Sequence, residues 1–164
     1  KMAENFEITD EMKSKIGWES GPWVCEVTST SVRAFARGVG YTDPVYYDEE
    51  AAKKAGYRNI PAPPTYLGTP IFIPGQSGGT FSFPPGSIVD INHGLPNLLD
   101  GGTETEYFDT ICAGDNLTCV TKLADLFTKE SKGTGTMLIT ATESTFTNQD
   151  GKVVVIQRSQ RIFY

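Results

Sequence analysis

The sequence contains little histidine, little cysteine and no motif that pairs the two. His93 is the single histidine of the chain. The three cysteines, Cys25, Cys112 and Cys119, show no Cys-x-x-Cys spacing. A structural zinc site takes four such ligands, so we expect no metal site. The cysteines are expected to be reduced, partly buried thiols of an intracellular protein.

The chain also lacks long apolar runs and an excess of positive charge. No run approaches the roughly 20 apolar residues of a membrane span, and the first residues lack the apolar core of a signal peptide. Lys and Arg number 14 against 20 Asp and Glu, a formal net charge of −6. Nucleic acids and anionic membranes attract clustered positive charge, so neither is expected as a partner. The expected location is the cytoplasm, and the charge does not exclude a phosphate-bearing ligand held by two or three local cations.

The order of local patterns predicts an α+β protein. Residues 9–17 and 48–56 each combine a capping residue, acids in the first turn, lysines in the last turn and a final glycine, and residues 29–37 have one apolar side. Strand-type composition follows in the last third of the chain. The predicted strands are 23–27, 103–108, 117–127, 134–147 and 152–163. Such an order favours one antiparallel sheet packed around a helix, which we expect from Thr65 onward.

A length of 164 residues predicts a single domain over residues 1–164. Within it, residues 1–8 are expected to form an N-terminal extension. Residues 75–101, rich in glycine and proline, are expected to form a long irregular excursion.

Four segments carry motifs of a known family: residues 35–48, FARGVGYTDPVYYD; residues 59–65, NIPAPPT; residues 100–108; and residues 111–117. They resemble the MaoC-like hydratases and dehydratases. Residues 35–48 are similar to that family's signature, an aromatic residue followed by Gly-Asp-x-Asn-Pro-Leu-His-x-Asp. Residues 59–65, NIPAPPT, resemble its next landmark, a small residue followed by His-Gly. Residues 100–108 and 111–117 resemble a strand and turn of its N-terminal-type domain. The resemblance covers residues 5 to 164 and implies a single hot-dog fold, an antiparallel sheet wrapped around a central helix.

The same resemblance places unusual residues at the three chemical positions of the family. Its members use an Asp and a His five residues later to add water to a conjugated thioester, and a backbone N–H to bind the enolate oxygen. Tyr41 and Tyr46 occupy the first two positions here, and Pro64 the third. A phenol with a pKa near 10 is a poor base at neutral pH, and proline has no N–H to donate. The resemblance therefore implies that the usual catalytic pair is missing.

These departures predict a substrate-binding subunit of a heteromeric hydratase or dehydratase. The expected ligand is an acyl-CoA or acyl-carrier thioester with no other cofactor, and the expected partner is a catalytic hot-dog chain or a second copy. Residues expected to bind the acyl group are Tyr41, Tyr46, Ala62, Pro63, Pro64, Thr65, Tyr66, Phe72, Gly101 and Gly102. Phe72, Phe81 and Phe83 are expected to widen a tunnel for a bulky acyl group.

Two other functions fit the same residues. The chain is an enzyme by itself, a hydratase, dehydratase or thioesterase, if His93 or Glu104 serves as a relocated base. It is a non-enzymatic module if it only binds acyl thioesters. Each residue also has a structural interpretation, because a lone histidine in a loop often makes only a local hydrogen bond. Tyr41 and Tyr46 either fill the space of the missing pair or hydrogen-bond an acyl carbonyl.

Overall fold

One five-stranded antiparallel sheet dominates the computed structural model, which describes residues 6–68, 86 and 88–164. Its strand order is β1-β3-β4-β5-β2. The strands are β1 (Trp23–Glu26), β2 (Leu98–Tyr107), β3 (Asn116–Ser131), β4 (Gly135–Thr147) and β5 (Val153–Phe163). The turn at 148–151 joins β4 to β5, as its Asp-Gly sequence predicts. The α+β class and the antiparallel sheet are confirmed.

Three short helices precede the long strands, in the three segments where the sequence predicts them. They are α1 (Asp10–Ser14), α2 (Ser29–Gly38) and α3 (Glu49–Lys54). The side chains of Thr9, Thr28 and Asp48 accept backbone N–H groups of the first turn in α1, α2 and α3. Two 3-10 helices, Pro44–Tyr46 and Tyr66–Gly68, complete the described helical structure.

The predicted irregular excursion is wrong at its C-terminal end. Leu98, Leu99 and Asp100 pair with β5, so β2 begins five residues earlier than the predicted strand at Thr103. The two glycines lie at a register shift between Asp100 and Gly102. Gly102 has φ +109, and a Cβ at Gly101 would stand 3.0 Å from the Cβ of Gln160. The two glycines are required by a β-bulge inside β2. A glycine-rich sequence alone does not distinguish such a bulge from a loop.

The first part of the excursion lies outside the described residues. The residues not described are 69–85 and 87, which include Phe72, Phe81 and Phe83. Thr65 does precede helical structure, because the 3-10 helix Tyr66–Gly68 follows it directly. The rest of the main helix predicted from Thr65 falls on the same residues.

The inner face of the sheet packs into two apolar clusters. The first joins Val32 of α2 to Cys25, Leu117, Phe146 and Val155. The second joins Met12 of α1 to Leu123, Leu126 and Leu138. Both clusters use β3 and β4, one toward each end of β4. The helices therefore cover the two ends of the inner face.

The three cysteines are free and buried, as their lack of spacing predicts. Burial raises the pKa of Cys25 to about 11 and that of Cys119 to about 12. Their thiolate forms are scarce at neutral pH, so the cysteines act as small apolar core residues. Among the described residues, no helix has both the length and the apolar composition to cross a membrane.

Candidate functional site

The middle of the inner face is polar, although both of its ends are apolar. Three rows of paired residues on β2, β5 and β4 form this polar part, and we call them the polar band. The rows are Thr105, Gln157, Ser144 and Thr121; then Thr103, Ser159 and Thr142; then Asp100, Arg161 and Thr140. On β3 the band includes only Thr121, because the second and third rows end there at Leu123 and Leu126 of the second cluster. The row before the band contains Val155, Phe146 and Cys119, and the row after it contains Leu98, Phe163 and Leu138.

A cavity of about 730 Å³ lies against the polar band. From outside the sheet it is lined by Thr65, Leu67 and the residues that lead into β2, among them Val89, Ile91 and His93. Ligand pockets for small molecules typically measure about 300–1,000 Å³. The cavity therefore has the size of an acyl-group site, with a polar sheet on one side and apolar side chains in the segment before β2.

Hydrogen bonds within the band leave donors and acceptors available to a ligand. Thr121 and Ser144 hydroxyl oxygens are 2.8 Å apart, and those of Thr103 and Ser159 are 3.0 Å apart. A hydroxyl donates one hydrogen bond and accepts two, so each such pair keeps unused capacity. The indole N–H of Trp23, another lining residue, is buried without a hydrogen-bond partner in the part of the chain that the structure describes.

Tyr41 and Tyr46 stack on each other. Their ring centroids are 5.4 Å apart and the planes differ by 27°. Tyr46 ends the 3-10 helix Pro44–Tyr46, whose first turn is capped by Asp43. Burial, followed by the nearby Tyr41, raises the pKa of Tyr46. A phenol with a raised pKa has even less of its basic phenolate form at neutral pH than an ordinary tyrosine.

The described lining of the cavity does not include these two tyrosines. Their contact with an acyl group stays a prediction. The stacking agrees with the structural interpretation, in which the rings fill the space of the missing catalytic pair.

The segment of residues 61–65 approaches the cavity through Thr65. The Ala62 N–H donates to the Ile111 carbonyl oxygen at 2.8 Å, Pro63 is buried, and Pro64 is exposed. Thr65 has φ +67, the left-handed region that a β-branched residue rarely adopts. Its N–H meets the Tyr107 hydroxyl at 3.4 Å, a long hydrogen bond. The first amide hydrogen after Pro64 is thus weakly bound beside the cavity.

A half-buried ion pair joins the residues just before this segment to the turn before β3. Arg58 donates to both carboxylate oxygens of Asp115, which is 2% exposed, and to the Thr110 carbonyl oxygen. The Cys112 N–H donates to the same carboxylate at 2.9 Å. Burial acts to raise the pKa of Asp115, but the hydrogen bonds from Arg58 and Cys112 outweigh it and lower that pKa. Asp115 therefore positions the segment as a carboxylate.

His93 reaches the cavity in an orientation that suits a donor better than a base. Its Nδ1 accepts the Leu95 N–H at 3.0 Å, and its ring centroid lies 4.1 Å from that of Phe163. Burial lowers the pKa of His93, which favours the neutral ring. With Nδ1 occupied as an acceptor, the proton of that ring is on Nε2. Glu104, the other predicted base, is on the opposite face of β2, with its side chain 79% exposed and 3.9 Å from Arg158.

The remaining predicted residues are divided between the core and the outer face. Tyr66 is 7% exposed, bonds the Ser31 hydroxyl at 2.7 Å and meets Phe35 edge-on, so it acts as a core residue. Gly101 and Gly102 line a second hollow with Glu104 and Arg158. Among the predicted residues that the structure describes, Thr65 and His93 line the main cavity.

Sequence reasoning missed the polar band, and a signal for it was present. Thr140, Thr142 and Ser144 alternate with other residues along β4, as do Gln157 and Ser159 along β5. Alternation places these side chains on one face of the sheet. The alternation does not reveal that this face is the inner one. The apolar rows on either side, which the strand pairing shows, identify it as the inner face.

Comparisons with known proteins agree on the family and the fold. The family model described as "FAS1-like, dehydratase domain region" matches residues 14–157. A UPF0336 protein of Parafrankia sp. (strain EAN1pec) is 33% identical over 129 residues, 79% of this chain and 78% of that protein. A UPF0336 protein of Thermobifida fusca (strain YX) is 32% identical over 101 residues, and the match spans 62% of each chain.

Two solved structures of Mycobacterium tuberculosis complexes share the fold. One is the truncated HadBC (3R-hydroxyacyl-ACP dehydratase) complex, with a TM-score of 0.65, 19% identity, and coverage of 90% of this chain and 96% of that chain. The other is the ChsH1-ChsH2 complex, with a TM-score of 0.64, 14% identity, and coverage of 89% and 84%. A MaoC-like dehydratase from Rhodospirillum rubrum has the same fold at a TM-score of 0.60. The hot-dog fold and the relation to MaoC-like proteins are confirmed, and the chain belongs to the FAS1-like dehydratase-region family.

Proposed function

We propose that this protein is an acyl-thioester-binding subunit of a MaoC-like hydratase or dehydratase, and that a catalytic hot-dog partner supplies the chemistry. The ligand is an enoyl or 3-hydroxyacyl group on coenzyme A or a carrier protein, with no further cofactor. The observation that carries the proposal is the stacked pair Tyr41 and Tyr46, at the positions where the family has its Asp and His. The complex is proposed to work in the cytoplasm.

Water addition needs a base, an acid and a donor to the enolate oxygen. Two phenols, one with a raised pKa, supply no base at neutral pH. Pro64 has no N–H for the third role. His93 has its Nδ1 lone pair engaged by the Leu95 N–H, which argues against a relocated base. The cavity, in contrast, has the volume of a binding site.

A partner subunit is supported by the position of β2. This strand forms one edge of the sheet, opposite β1. Leu98, Leu99, Tyr107 and Phe108 along it are 45–58% exposed. An edge strand with exposed apolar side chains is suited to pairing with another sheet. Two structures with this fold are named as complexes, HadBC and ChsH1-ChsH2, and we propose a similar assembly with a catalytic hot-dog chain.

An activity assay of the chain alone and with its partner tests the proposal. Hydration of crotonyl-CoA and of a longer enoyl-CoA is measured with the purified chain, then after addition of a candidate catalytic hot-dog chain that carries the Asp and His. We expect turnover of the longer substrate only in the mixture. Turnover by the isolated chain that is lost in His93→Ala would contradict the proposal and assign His93 as the base.

A double variant tests the missing oxyanion donor separately. Tyr41→Asp with Tyr46→His restores the family's acid and base but leaves Pro64 in place. We expect no hydration activity from the isolated double variant, because the enolate oxygen still lacks its N–H donor. The triple variant that also carries Pro64→Gly is the matched comparison. Activity in the double variant alone would show that Pro64 is not at the oxyanion position.

A further inference from the structure

We propose that the cavity selects acyl groups that carry a carbonyl oxygen along the chain over plain alkyl groups of the same length. The inference rests on the proposed function and concerns the ligand of the same site. It is carried by the polar band on the sheet side of the cavity and by the indole N–H of Trp23.

The band is a local departure from the apolar pattern of the same strands. On β4 the inner face reads Leu138, Thr140, Thr142, Ser144 and Phe146, so three successive hydroxyls separate a residue of the second cluster from a residue of the first. Polar side chains also occupy the paired positions of β5 and β2. A site for an alkyl chain has no use for this row of hydroxyls, because each one must give up hydrogen bonds to water when the chain covers it.

Trp23 adds a donor that lacks an acceptor. Its Nε1 is buried without a hydrogen-bond partner among the described residues, and an indole N–H can only donate. The ring meets Phe146 edge-on, with centroids 6.0 Å apart, at the apolar row that adjoins the band. Thr121 and Ser144 lie in the next row. A ligand oxygen in this part of the cavity would satisfy the indole and accept from a neighbouring hydroxyl.

The chemical class follows from the two walls together. Ile88, Val89 and Ile91 line the cavity from the segment before β2, so part of the ligand is a carbon skeleton. The opposing sheet offers a donor-only indole and several hydroxyls, which a carbonyl oxygen can accept from. The fitting ligand is a thioester with a keto group inside its acyl chain.

Two thioesters of equal length test the inference. Affinities of the full chain for decanoyl-CoA and for a decanoyl-CoA with one mid-chain keto group are measured by calorimetry. We expect the keto compound to bind about tenfold more tightly, as one or two otherwise unmade hydrogen bonds imply. Equal or weaker binding of the keto compound would overturn the inference and leave the proposed function intact. If neither thioester binds, both proposals fail.

Matched variants locate the preference within the cavity. Trp23→Phe keeps the ring and removes the donor, and Thr142→Val keeps the shape and removes a hydroxyl of the band. We expect each to bring the ratio of the two affinities closer to one. Thr118→Val, the same exchange at an exposed position of β3 away from the cavity, is expected to leave both affinities unchanged. A preference that survives both cavity variants would place the recognition elsewhere and contradict the inference.

Discussion

The two ends of the inner sheet face and its middle are made from the same strands but have different purposes. At the ends, Leu138 and Phe146 are buried in apolar clusters closed by α1 and α2, and Phe146 also borders the cavity. In the middle, Thr142 and Ser144 line a cavity. The comparison shows that a β-strand can contribute its apolar ends to stability and keep its centre for a ligand. Substitutions should therefore separate the two purposes.

Truncation of Phe146 is expected to produce the largest effect. Phe146 is 2% exposed and packs on Trp23. Phe146→Ala should lower the free energy of unfolding by about 3–5 kcal/mol, because it leaves a cavity in the first cluster. Denaturant unfolding measures this. Phe127→Ala, at a β3 position that is 37% exposed, is the control and should lower stability much less. Similar losses at the two positions would contradict the division of the sheet.

Loss of the Asp115 carboxylate is expected to have the second-largest effect. Asp115→Asn should lower the free energy of unfolding by about 2 kcal/mol, less than a fully buried pair because the Arg58 side chain is 47% exposed. The pKa of Asp115 is lowered in the folded protein. Its stabilisation is therefore complete above the unfolded-state pKa of about 3.9 and decreases as the pH falls through the folded-state pKa.

The measurement is urea unfolding as a function of pH. The difference in stability between wild type and Asp115→Asn should shrink as the pH falls below about 4. A constant difference over that interval would mean that the carboxylate charge does not contribute. The exposed pair Lys152–Asp109, broken by Lys152→Met, provides a comparison in which we expect a much smaller loss of stability, because solvent screens the two charges.

Removal of a hydroxyl from the polar band should hardly change stability. Thr142 makes one long hydrogen bond of 3.4 Å, to the Ser159 carbonyl oxygen. We expect Thr142→Val to change the free energy of unfolding by less than about 1 kcal/mol, since valine has the same shape. The same denaturant series measures it. A loss as large as that of Phe146→Ala would show that the band serves the core.

His93 gives the smallest expected effect and the most direct readout. Because His93 is the single histidine of the chain, its ring protons are assigned without ambiguity in a proton NMR titration. Burial lowers its pKa, so the midpoint should fall below the reference value of about 6.5. The folded state then loses stability as the pH falls below about 6.5, because the unfolded chain binds the proton first. A midpoint above 6.5 would contradict the buried, neutral ring described for the cavity.

Local signals predicted much of the fold and little of the cavity. Thr9 and Asp48 mark helix starts through hydrogen bonds to residues three positions away, which a sequence records directly. The start of β2 at Leu98 was missed because it depends on pairing with Phe163, 65 residues later. The partnership of Arg58 and Asp115 spans 57 residues and has no local pattern. Tyr66 was assigned to the ligand because motif position does not reveal the direction of a side chain.

The three buried cysteines can report local unfolding of the protein without any added probe. Cys25 on β1, Cys119 on β3 and Cys112 in the turn before β3 are covered in the folded chain. With thiol pKa values of about 11 and 12 at Cys25 and Cys119, alkylating reagents react with the native protein extremely slowly. Modification at each position then counts the molecules in which that region is transiently exposed. Mass spectrometry of the three sites can measure how much a bound acyl thioester slows cysteine modification, and so local opening, in each region.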